Sequence, residues 1–240
     1  MHMTNKNIVP YWRPALAEGI ATFFFVLLGS GSVVVTGALS DGEMTIARLS
    51  VIAISHGLTI AMLVGTIGHL SGAHINPAVT FAALVTKQIG FAQGTLYIIT
   101  QITGGVVAAL LIGSLLPPTL GGGLGEGVGT LGSHAVSPMI SPIQGLVVEI
   151  VLTSILVFVV FGTAMDKRGA GTIAPLAIGF AVMVCGFVGI PLTGASMNPA
   201  RTFGPALAAA AWADHWVYWI GPFIGAAVTG LVYQYLFKKD

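Results

Sequence analysis

The sequence has 240 residues, of which 55% are hydrophobic and only 7% are charged, and its mean hydropathy is +0.93. A typical soluble domain carries roughly 25% charged residues, so this composition predicts an integral membrane protein. A net charge of +1 argues against a nucleic-acid partner, and the single cysteine, Cys185, excludes an intramolecular disulfide or a cysteine-based metal cage.

Six stretches of the sequence are long and apolar enough to cross a bilayer, which needs about 20 mainly apolar residues per helix. The predicted spans are 12–38, 46–69, 91–116, 143–165, 171–190 and 214–237. Two shorter stretches, 77–87 and 199–210, are predicted to be re-entrant half-helices, because about ten residues cannot span the bilayer. The first apolar run is long enough to span, so a cleavable signal is not expected.

One nine-residue phrase occurs twice, as SGAHINPAV at 71–79 and as TGASMNPAR at 193–201, and Thr-Phe follows both copies. Asparagine is a favoured N-cap, and proline is favoured at the first helical position, so each copy predicts the start of a half-helix. The shared Asn-Pro-Ala motif consists of Asn76, Pro77 and Ala78 in the first copy and Asn198, Pro199 and Ala200 in the second.

The repetition extends beyond this phrase, because Glu18 and Thr22 in the first span have the same spacing as Glu149 and Thr153 in the fourth. Each copy has three spans, so the second copy must enter the membrane from the opposite side. The expected architecture is one all-α membrane domain over residues 1–240, with six transmembrane helices and two re-entrant half-helices in an inverted repeat. The two repeats are predicted at about 12–116 and 143–237, joined by an outer loop at 117–142.

The distribution of positive charge predicts that both termini face the cytoplasm. With that orientation, seven of the nine Lys and Arg residues lie on the inner side and only Arg48 lies in an outer loop. The inner residues are Lys6, Arg13, Lys87, Lys167, Arg168, Lys238 and Lys239. The outer loop is rich in Gly, Pro and Ser and carries one charge, Glu126. We expect a multi-pass protein in the lipid bilayer of the cell membrane.

Two half-helices that enter from opposite faces are expected to meet tip to tip at the membrane midplane. Backbone that is not helical at that depth must line a cavity or be buried in protein, so the extended runs 71–75 and 193–197 are predicted to present carbonyl groups to a pore. The positive helix ends repel cations, whereas Asn76 and Asn198 offer N–H donors to a neutral solute. Water held by two donors cannot readily accept a proton, which interrupts proton hopping. The alternative is a bundle of capped helices without a pore.

Several other polar residues lie within the predicted membrane region. Arg201 follows the second motif directly, and an intramembrane arginine indicates function. His74 is predicted to line the inner vestibule. Glu18 and Glu149 are expected to brace the exposed backbone runs, with a proton relay as the alternative. The sequence has no visible nucleophile–base set or metal cluster, so neither an enzyme nor a cofactor or metal site is expected.

On these residues and motifs the chain resembles the aquaporin family of major intrinsic proteins. The resemblance covers the six spans, both Asn-Pro-Ala motifs, the paired glutamates and the Ser-Gly-Ala-His before the first motif. It implies an aquaporin-like fold, a homotetramer with one pore per subunit, and passive flow of solute down a gradient.

The resemblance also implies a narrow outer selectivity filter built from His56, Gly186, Ala195 and Arg201. Strict water channels resemble one another in having Phe, His, a small residue and Arg there, so this chain departs at the first two positions. Gly186 predicts a wider filter, and the His56 ring is expected to lean into that space and restore a donor opposite Arg201. This arrangement resembles plant vacuolar aquaporins, some of which also pass ammonia. The alternative for His56 is a packed histidine in the bundle.

The expected function is a passive channel for water, and also for ammonia or other small neutral solutes, that excludes ions and protons. The alternative is a facilitator whose main cargo is glycerol, urea or hydrogen peroxide. The glycerol-conducting branch resembles this chain less, because Thr202, Ala206 and Tyr218-Trp219 are choices typical of water channels. Secondary transport also uses inverted repeats, but the sequence offers no coupling-ion site.

Overall fold

The computed structural model describes residues 11–124 and 130–238. This part of the chain forms eight α-helices, four in each half of the chain. Both halves have the same order of two long helices, one short helix and one long helix. The first half contains α1 (Trp12–Leu39), α2 (Ile46–Ser71), α3 (Pro77–Val85) and α4 (Phe91–Leu115). The second half contains α5 (Pro142–Val160), α6 (Ala174–Thr193), α7 (Pro199–Ala209) and α8 (Val217–Val232). Short 3₁₀ turns lie at Pro118–Leu120 and Gly171–Ile173, and π-helical turns at Phe161–Met165 and Tyr233–Phe237.

The predicted fold class is confirmed. Within the described residues the protein is all-helical, with six helices long and apolar enough to cross a membrane and two short helices, α3 and α7, between them. Among the differences from the predicted bounds, α8 begins at Val217 instead of residue 214, and α6 runs on to Thr193 instead of ending at residue 190. Pro191 removes one backbone hydrogen bond from that helix without ending it. The charges assigned to Lys6, Glu126 and Lys239 lie outside the described residues.

Both short helices begin at an asparagine that caps them. Asn76 accepts through Oδ1 from the backbone N–H of Ala78 at 2.8 Å. Asn198 accepts through Oδ1 from the backbone N–H groups of Ala200 at 3.1 Å and Arg201 at 3.2 Å. A proline at the first helical position follows each cap. Local sequence therefore fixes where these two helices start.

The long helices approach one another most closely at glycines. A Cβ atom on Gly57 of α2 would lie 2.6 Å from the carbonyl oxygen of Gly179 in α6, and the reverse distance is 2.5 Å. A Cβ atom on Gly104 of α4 would overlap the carbonyl oxygen of Gly19 in α1. Any larger residue would force these helices apart, so backbone packs directly on backbone at both crossings.

Two clusters of buried apolar side chains fill the bundle. The larger cluster joins α1, α2, α5 and α6 with the two motif regions. The smaller cluster lies between α1, α4 and α7, and one of its members comes from the connection between α4 and α5 instead of from a helix. The smaller cluster consists of Val34, Ala109, Ile112, Leu131, Ala208 and Ala209.

Candidate functional site

The N-terminal ends of α3 and α7 meet, and their capping asparagines join them. Asn76 donates from Nδ2 to the carbonyl oxygen of Met197 at 2.8 Å, and Asn198 donates from Nδ2 to the carbonyl oxygen of Ile75 at 2.9 Å. An amide nitrogen carries two hydrogens, so each asparagine keeps a second N–H after this bond. Both asparagines line the same cavity. Two donors and two positive helix ends therefore lie at one point of that cavity.

The backbone runs before the two motifs share an uncommon conformation. They were expected to be extended, but left-handed residues interrupt them. Ala73 and Ile75 have φ values of 51° and 55°, and Ala195 and Met197 have values of 54° and 52°. Residues other than glycine rarely adopt positive φ, and each such residue costs roughly 1–3 kcal/mol. The surrounding structure must therefore hold both runs in place.

Two fully buried carboxylates hold these runs. Glu18 accepts from the backbone N–H of His74 at 2.9 Å through Oε1 and from that of Ile75 at 2.5 Å through Oε2. Glu149 makes the same pair of bonds, at 2.9 and 2.8 Å, to the equivalent N–H groups of the second run. This geometry favours the bracing role over a proton relay, because backbone N–H groups do not carry protons onward.

Hydroxyl donors complete both braces in the same way. Ser71 donates from Oγ to Glu18 at 2.6 Å, and Thr193 donates from Oγ1 to Glu149 at 2.7 Å. Ser71 is the last residue of α2, and Thr193 is the last residue of α6. The two halves of the chain thus repeat their hydrogen bonds as well as their sequence.

Sequence reasoning missed three residues that support these braces. Tyr97 donates from its hydroxyl to the last carbonyl of α2 at 3.0 Å, and Tyr218 donates to the last carbonyl of α6 at 2.9 Å. Gln101 donates from Nε2 to Glu18 at 2.9 Å, a donor to which no described residue around Glu149 corresponds. The sequence indicated Tyr218 only as a residue typical of water channels. Its position in α8 is equivalent to that of Tyr97 in α4.

A narrow cavity of about 40 Å³ lies beside the two motif tips. A water needs roughly 10–15 Å³ of such space, so only a few waters fit at a time. Part of the wall is polar and comes from the two backbone runs and the capping asparagines. The apolar part consists of Phe25, Ala53, Ile60, Val64, Val79, Leu156, Val160, Ile178, Val182 and Ile190.

Five of the residues that precede the motifs and line the cavity have carbonyl oxygens that are free to accept hydrogen bonds. They are Ala73, His74, Gly194, Ala195 and Ser196. Neither residues 11–124 nor residues 130–238 supply a backbone donor to these oxygens. The cavity therefore offers acceptors along the backbone runs and donors at the asparagines.

His56 lines the cavity, and both of its ring nitrogens are engaged. Nδ1 lies 2.8 Å from the carbonyl oxygen of Ile52, so it carries the hydrogen, and Nε2 accepts from the Nε–H of Arg201 at 3.2 Å. The ring packs edge-on to Phe25, and a Cβ atom on Gly29 would lie 2.7 Å from Nε2. The structure differs here from the expected donor opposite Arg201, because the ring accepts from Arg201 and has no N–H left for a solute.

Arg201 lies next to the cavity and is only 2% exposed. Its guanidinium has two acceptors among the described residues, His56 and the carbonyl oxygen of Gly132, which lies 2.8 Å from Nη1. The Arg201 side chain contacts the cavity wall through His56, which lines the cavity. Gly132 belongs to the α4–α5 connection. Because it contributes a backbone oxygen, its residue type did not indicate that it would bind Arg201.

The other two predicted filter residues, Gly186 and Ala195, line the same cavity as His56. The structure therefore brings all four positions together, three in the wall and Arg201 behind His56. A Cβ atom on Gly186 would lie 3.1 Å from the Cβ of Ala53 in α2. Close packing of α2 on α6 thus limits the size of the side chain at position 186, in addition to any effect of that side chain on filter width.

A histidine ring lies beside a threonine next to each motif. His74 lines the cavity, and its Nδ1 lies 3.1 Å from Oγ1 of Thr80. His134, from the α4–α5 connection, lies 2.7 Å from Oγ1 of Thr202 through Nδ1. Burial, and then the charge of Arg201, hold the pKa of His134 well below its usual range, so this ring is neutral. The repeated Thr-Phe after each motif indicated that both threonines belong to the repeat. No sequence pattern indicated a role for His134.

Comparison with known proteins places the chain in one family. The family model described as major intrinsic protein matches residues 5–233. The chain is 42% identical over 232 residues to Aquaporin-4 of Mus musculus, covering 96% of this chain and 69% of the mouse protein. It is 44% identical over 230 residues to Aquaporin TIP4-4 of Zea mays, covering 95% of this chain and 88% of the maize protein.

A solved structure has the same fold. The aquaglyceroporin from Plasmodium falciparum superposes with a TM-score of 0.78, covering 95% of this chain and 97% of that chain. At 21% sequence identity this likeness concerns the fold alone. The family model, in contrast, matches nearly the whole chain, and both relatives are more than 40% identical to it. These matches identify the family as well as the fold. The chain belongs to the major intrinsic protein family, and it is a membrane channel and not an enzyme.

Proposed function

We propose that this protein is a passive channel that conducts water, together with ammonia and other small neutral solutes, and excludes ions and protons. The observation that carries the proposal is the junction of α3 and α7, where amide donors and free carbonyl acceptors border one narrow cavity. A neutral solute at this point exchanges its hydrogen bonds to water for bonds to the wall. The names of the relatives, Aquaporin-4 and Aquaporin TIP4-4, agree with this function.

Exclusion of cations follows from the charges around the cavity. The N-terminal ends of α3 and α7 carry positive partial charges, and Arg201 adds a full charge behind His56. The carboxylates of Glu18 and Glu149 are buried and engaged by backbone and hydroxyl donors. A cation would therefore lose its hydration shell without gaining a negatively charged ligand.

Exclusion of protons follows from the donors at the junction. A water that accepts from both Asn76 and Asn198 has its two hydrogens directed toward the carbonyl groups of the backbone runs. Such a water cannot readily accept a proton from its neighbour, so a chain of proton transfers stops there. The positive helix ends add an electrostatic barrier at the same place.

The small residues of the filter are the reason to include ammonia. Gly186 and Ala195 leave two of the four filter positions without a large side chain, and His56 is a polar residue in the same wall. The same width favours the second candidate function, a facilitator for glycerol, urea or hydrogen peroxide. Thr202 and Ala206 occupy positions where the glycerol-conducting branch typically has charged residues, so we place water first.

We also propose that the protein is a homotetramer of the cell membrane with both termini in the cytoplasm. The positive-inside bias supports this orientation, and so do two contacts of the positively charged residues Arg168 and Lys238, which were assigned to the same side. Arg168 donates to the carbonyl oxygen of Phe237 at 2.7 Å, and Lys238 donates to Gln88 at 3.3 Å. The α5–α6 connection, the segment after α3 and the C-terminal turn therefore lie together.

Stopped-flow measurements on proteoliposomes test the proposed function. Light scattering reports water, urea and glycerol permeability, and a trapped pH-sensitive dye reports ammonia entry, each compared with protein-free liposomes. We expect a large increase for water, a clear increase for ammonia, and the smallest increase for glycerol. A glycerol or urea increase as large as that for water would favour the second candidate, and no increase for any solute would contradict a channel for these molecules.

A further inference from the structure

One leucine of the α4–α5 connection is buried in the helix bundle. Leu131 is 1% exposed and belongs to the smaller core cluster between α1, α4 and α7. Leu124 of the same connection is 47% exposed. The buried leucine therefore fastens this connection to three helices, one of which, α7, carries Arg201.

The backbone at this leucine is strained. Leu131 has a φ of 49° and Gly132 a φ of 74°, and the N–H of Ser133 donates to the carbonyl oxygen of Thr130 at 2.8 Å. Two central residues with positive φ are typical of a type I′ turn, where glycine, asparagine and aspartate are the usual choices. A branched apolar residue is unfavourable at such a position, so burial of its side chain must offset the strain.

The turn places one carbonyl group against Arg201. Gly132 accepts from Nη1 of Arg201 at 2.8 Å. On its other side Gly132 packs against α1, where a Cβ atom would lie 3.0 Å from the carbonyl oxygen of Ser30. Leu131 on one side and α1 on the other therefore leave this carbonyl little freedom to move.

Arg201 depends on this carbonyl for its orientation. Its side chain has several rotatable bonds, and its two acceptors among the described residues are His56 and Gly132. His56 is itself fixed, because its Nδ1 is bonded to Ile52 and its ring packs on Gly29. With both acceptors fixed, the guanidinium has a single orientation, and with one lost it can rotate about the other.

We propose that Leu131 is a positioning residue for solute selection: its burial in the smaller core cluster holds the Gly132 carbonyl in place and thereby fixes the Arg201 guanidinium beside the cavity. The inference rests on the proposed role of Arg201 in the filter. It adds Leu131, which is not a lining residue of the cavity, to the residues that determine which solutes pass.

The ratio of urea to water permeability in proteoliposomes tests the inference. Leu131→Ala removes the anchor and is expected to raise this ratio roughly threefold to tenfold, the scale of losing one ordinary hydrogen bond. Leu131→Met keeps the buried volume and is expected to keep the ratio. Leu124→Ala is the matched control, the same substitution on an exposed leucine of the same connection, and it is expected to leave the ratio unchanged.

A second variant distinguishes loss of the anchor from a folding defect. Leu131→Gly also removes the anchor, but it relieves the strain at positive φ and is therefore less prone to misfold. We expect the same rise in the ratio for Leu131→Gly as for Leu131→Ala. If neither variant that folds raises the ratio, the inference is overturned.

The Arg201→Val background separates the inference from the function on which it rests. If Leu131 acts through Arg201, then Leu131→Ala adds no further rise in a protein that already carries Arg201→Val. A full additional rise in that background would overturn the positioning role and leave the filter role of Arg201 intact. If Arg201→Val alone leaves the ratio unchanged, the proposed filter role of Arg201 fails, and the inference fails with it.

Discussion

Asn76 and Asn198 each donate to the backbone carbonyl that precedes the other, at 2.8 and 2.9 Å. The exchange ties together two helix ends that lie in different halves of the chain. Each asparagine also caps its own helix through Oδ1. Each asparagine side chain thus caps the start of a helix, joins the two halves and presents a donor to the cavity, and substitutions at these positions test all three roles.

Replacing Asn198 with Asp is expected to weaken cation exclusion. A carboxylate can still cap α7, but its negative charge offsets the positive helix ends and faces a carbonyl oxygen in place of donating to it. We expect cation conductance of reconstituted channels to rise by roughly tenfold, and Asn76→Asp to act in the same direction. Asn198→Ala, which removes the amide without adding charge, is the control. Equal conductance in the Asp and Ala variants would contradict the electrostatic account.

Replacing Arg201 with Val is expected to admit more urea and more protons while water flow is kept or increased. The change removes the charge behind His56 and its bonds to His56 and Gly132. We expect urea permeability to rise by about tenfold, as measured by stopped-flow light scattering. Arg201→Lys retains the charge but not the planar pair of donors, so it should preserve cation exclusion better than urea exclusion. Unchanged urea and proton permeability in Arg201→Val would remove Arg201 from the filter.

Replacing His56 with Phe is expected to lower ammonia permeability severalfold and water permeability less. The substitution gives the cavity wall an apolar ring edge and deprives the Arg201 Nε–H of its acceptor. Water still has the backbone carbonyls and the asparagine donors. His69→Phe is the matched control, because His69 is exposed near the end of the same helix. Equal losses of ammonia and water permeability would identify His56 as a packing residue only.

Replacing Glu18 with Gln is expected to destabilise the fold without a large change in proton leakage. The carboxylate accepts from two backbone N–H groups, Ser71 and Gln101, and an amide cannot accept from all four donors. We expect a loss of about 2 kcal/mol or more, measured by thermal unfolding in detergent, and a smaller loss for Glu149→Gln, which has three such donors. Glu43→Gln, at an exposed acid, is the control. A large drop in proton leakage with unchanged stability would revive the relay interpretation.

The stability of the protein is expected to depend on pH through Asp166. Hydrogen bonds from Arg168, the largest cause, lower the pKa of Asp166, and Tyr233 also donates to this carboxyl. A carboxyl with a lowered folded-state pKa adds stability above its unfolded-state value of about 3.9, and that stability is lost as pH falls toward the folded-state pKa. Asp166→Asn is therefore expected to lower the melting temperature at pH 7 and less at pH 3. Asp41→Asn is the exposed control, and a pH-independent difference would contradict the assignment.

Local features of the sequence predicted the helices well, because each depends on residues close to one another in the chain. The starts of α3 and α7 follow from an asparagine and a proline side by side, and both were placed at the observed residue. Apolar length located the six spans within a few residues. The π-helical turns Phe161–Met165 and Tyr233–Phe237 were not predicted, since apolar length alone does not distinguish one helical turn from another.

The candidate site was less predictable, because it depends on distances between segments far apart in the sequence. The residues themselves were found from spacing, but the hydrogen bond from Arg201 to His56 depends on how α2 and α7 each pack on α1. The contribution of Gly132 is a backbone oxygen, which no residue pattern encodes. The left-handed residues Ala73 and Ala195 were unexpected for a related reason, because buried carboxylates stabilise a conformation that alanine alone does not favour.

The glycine crossings bear on how the channel responds to mechanical stress in the bilayer. Where Gly57 packs on Gly179, the nearest atoms are the two carbonyl oxygens and the Cβ carbons of Ala61 and Met183, none of which can change rotamer. The spacing of α2 and α6 is thus set by main-chain and Cβ atoms in direct contact, and both helices border the cavity. We therefore expect the spacing of these helices at the crossing, and with it the water permeability, to change little when membrane tension or lipid thickness changes.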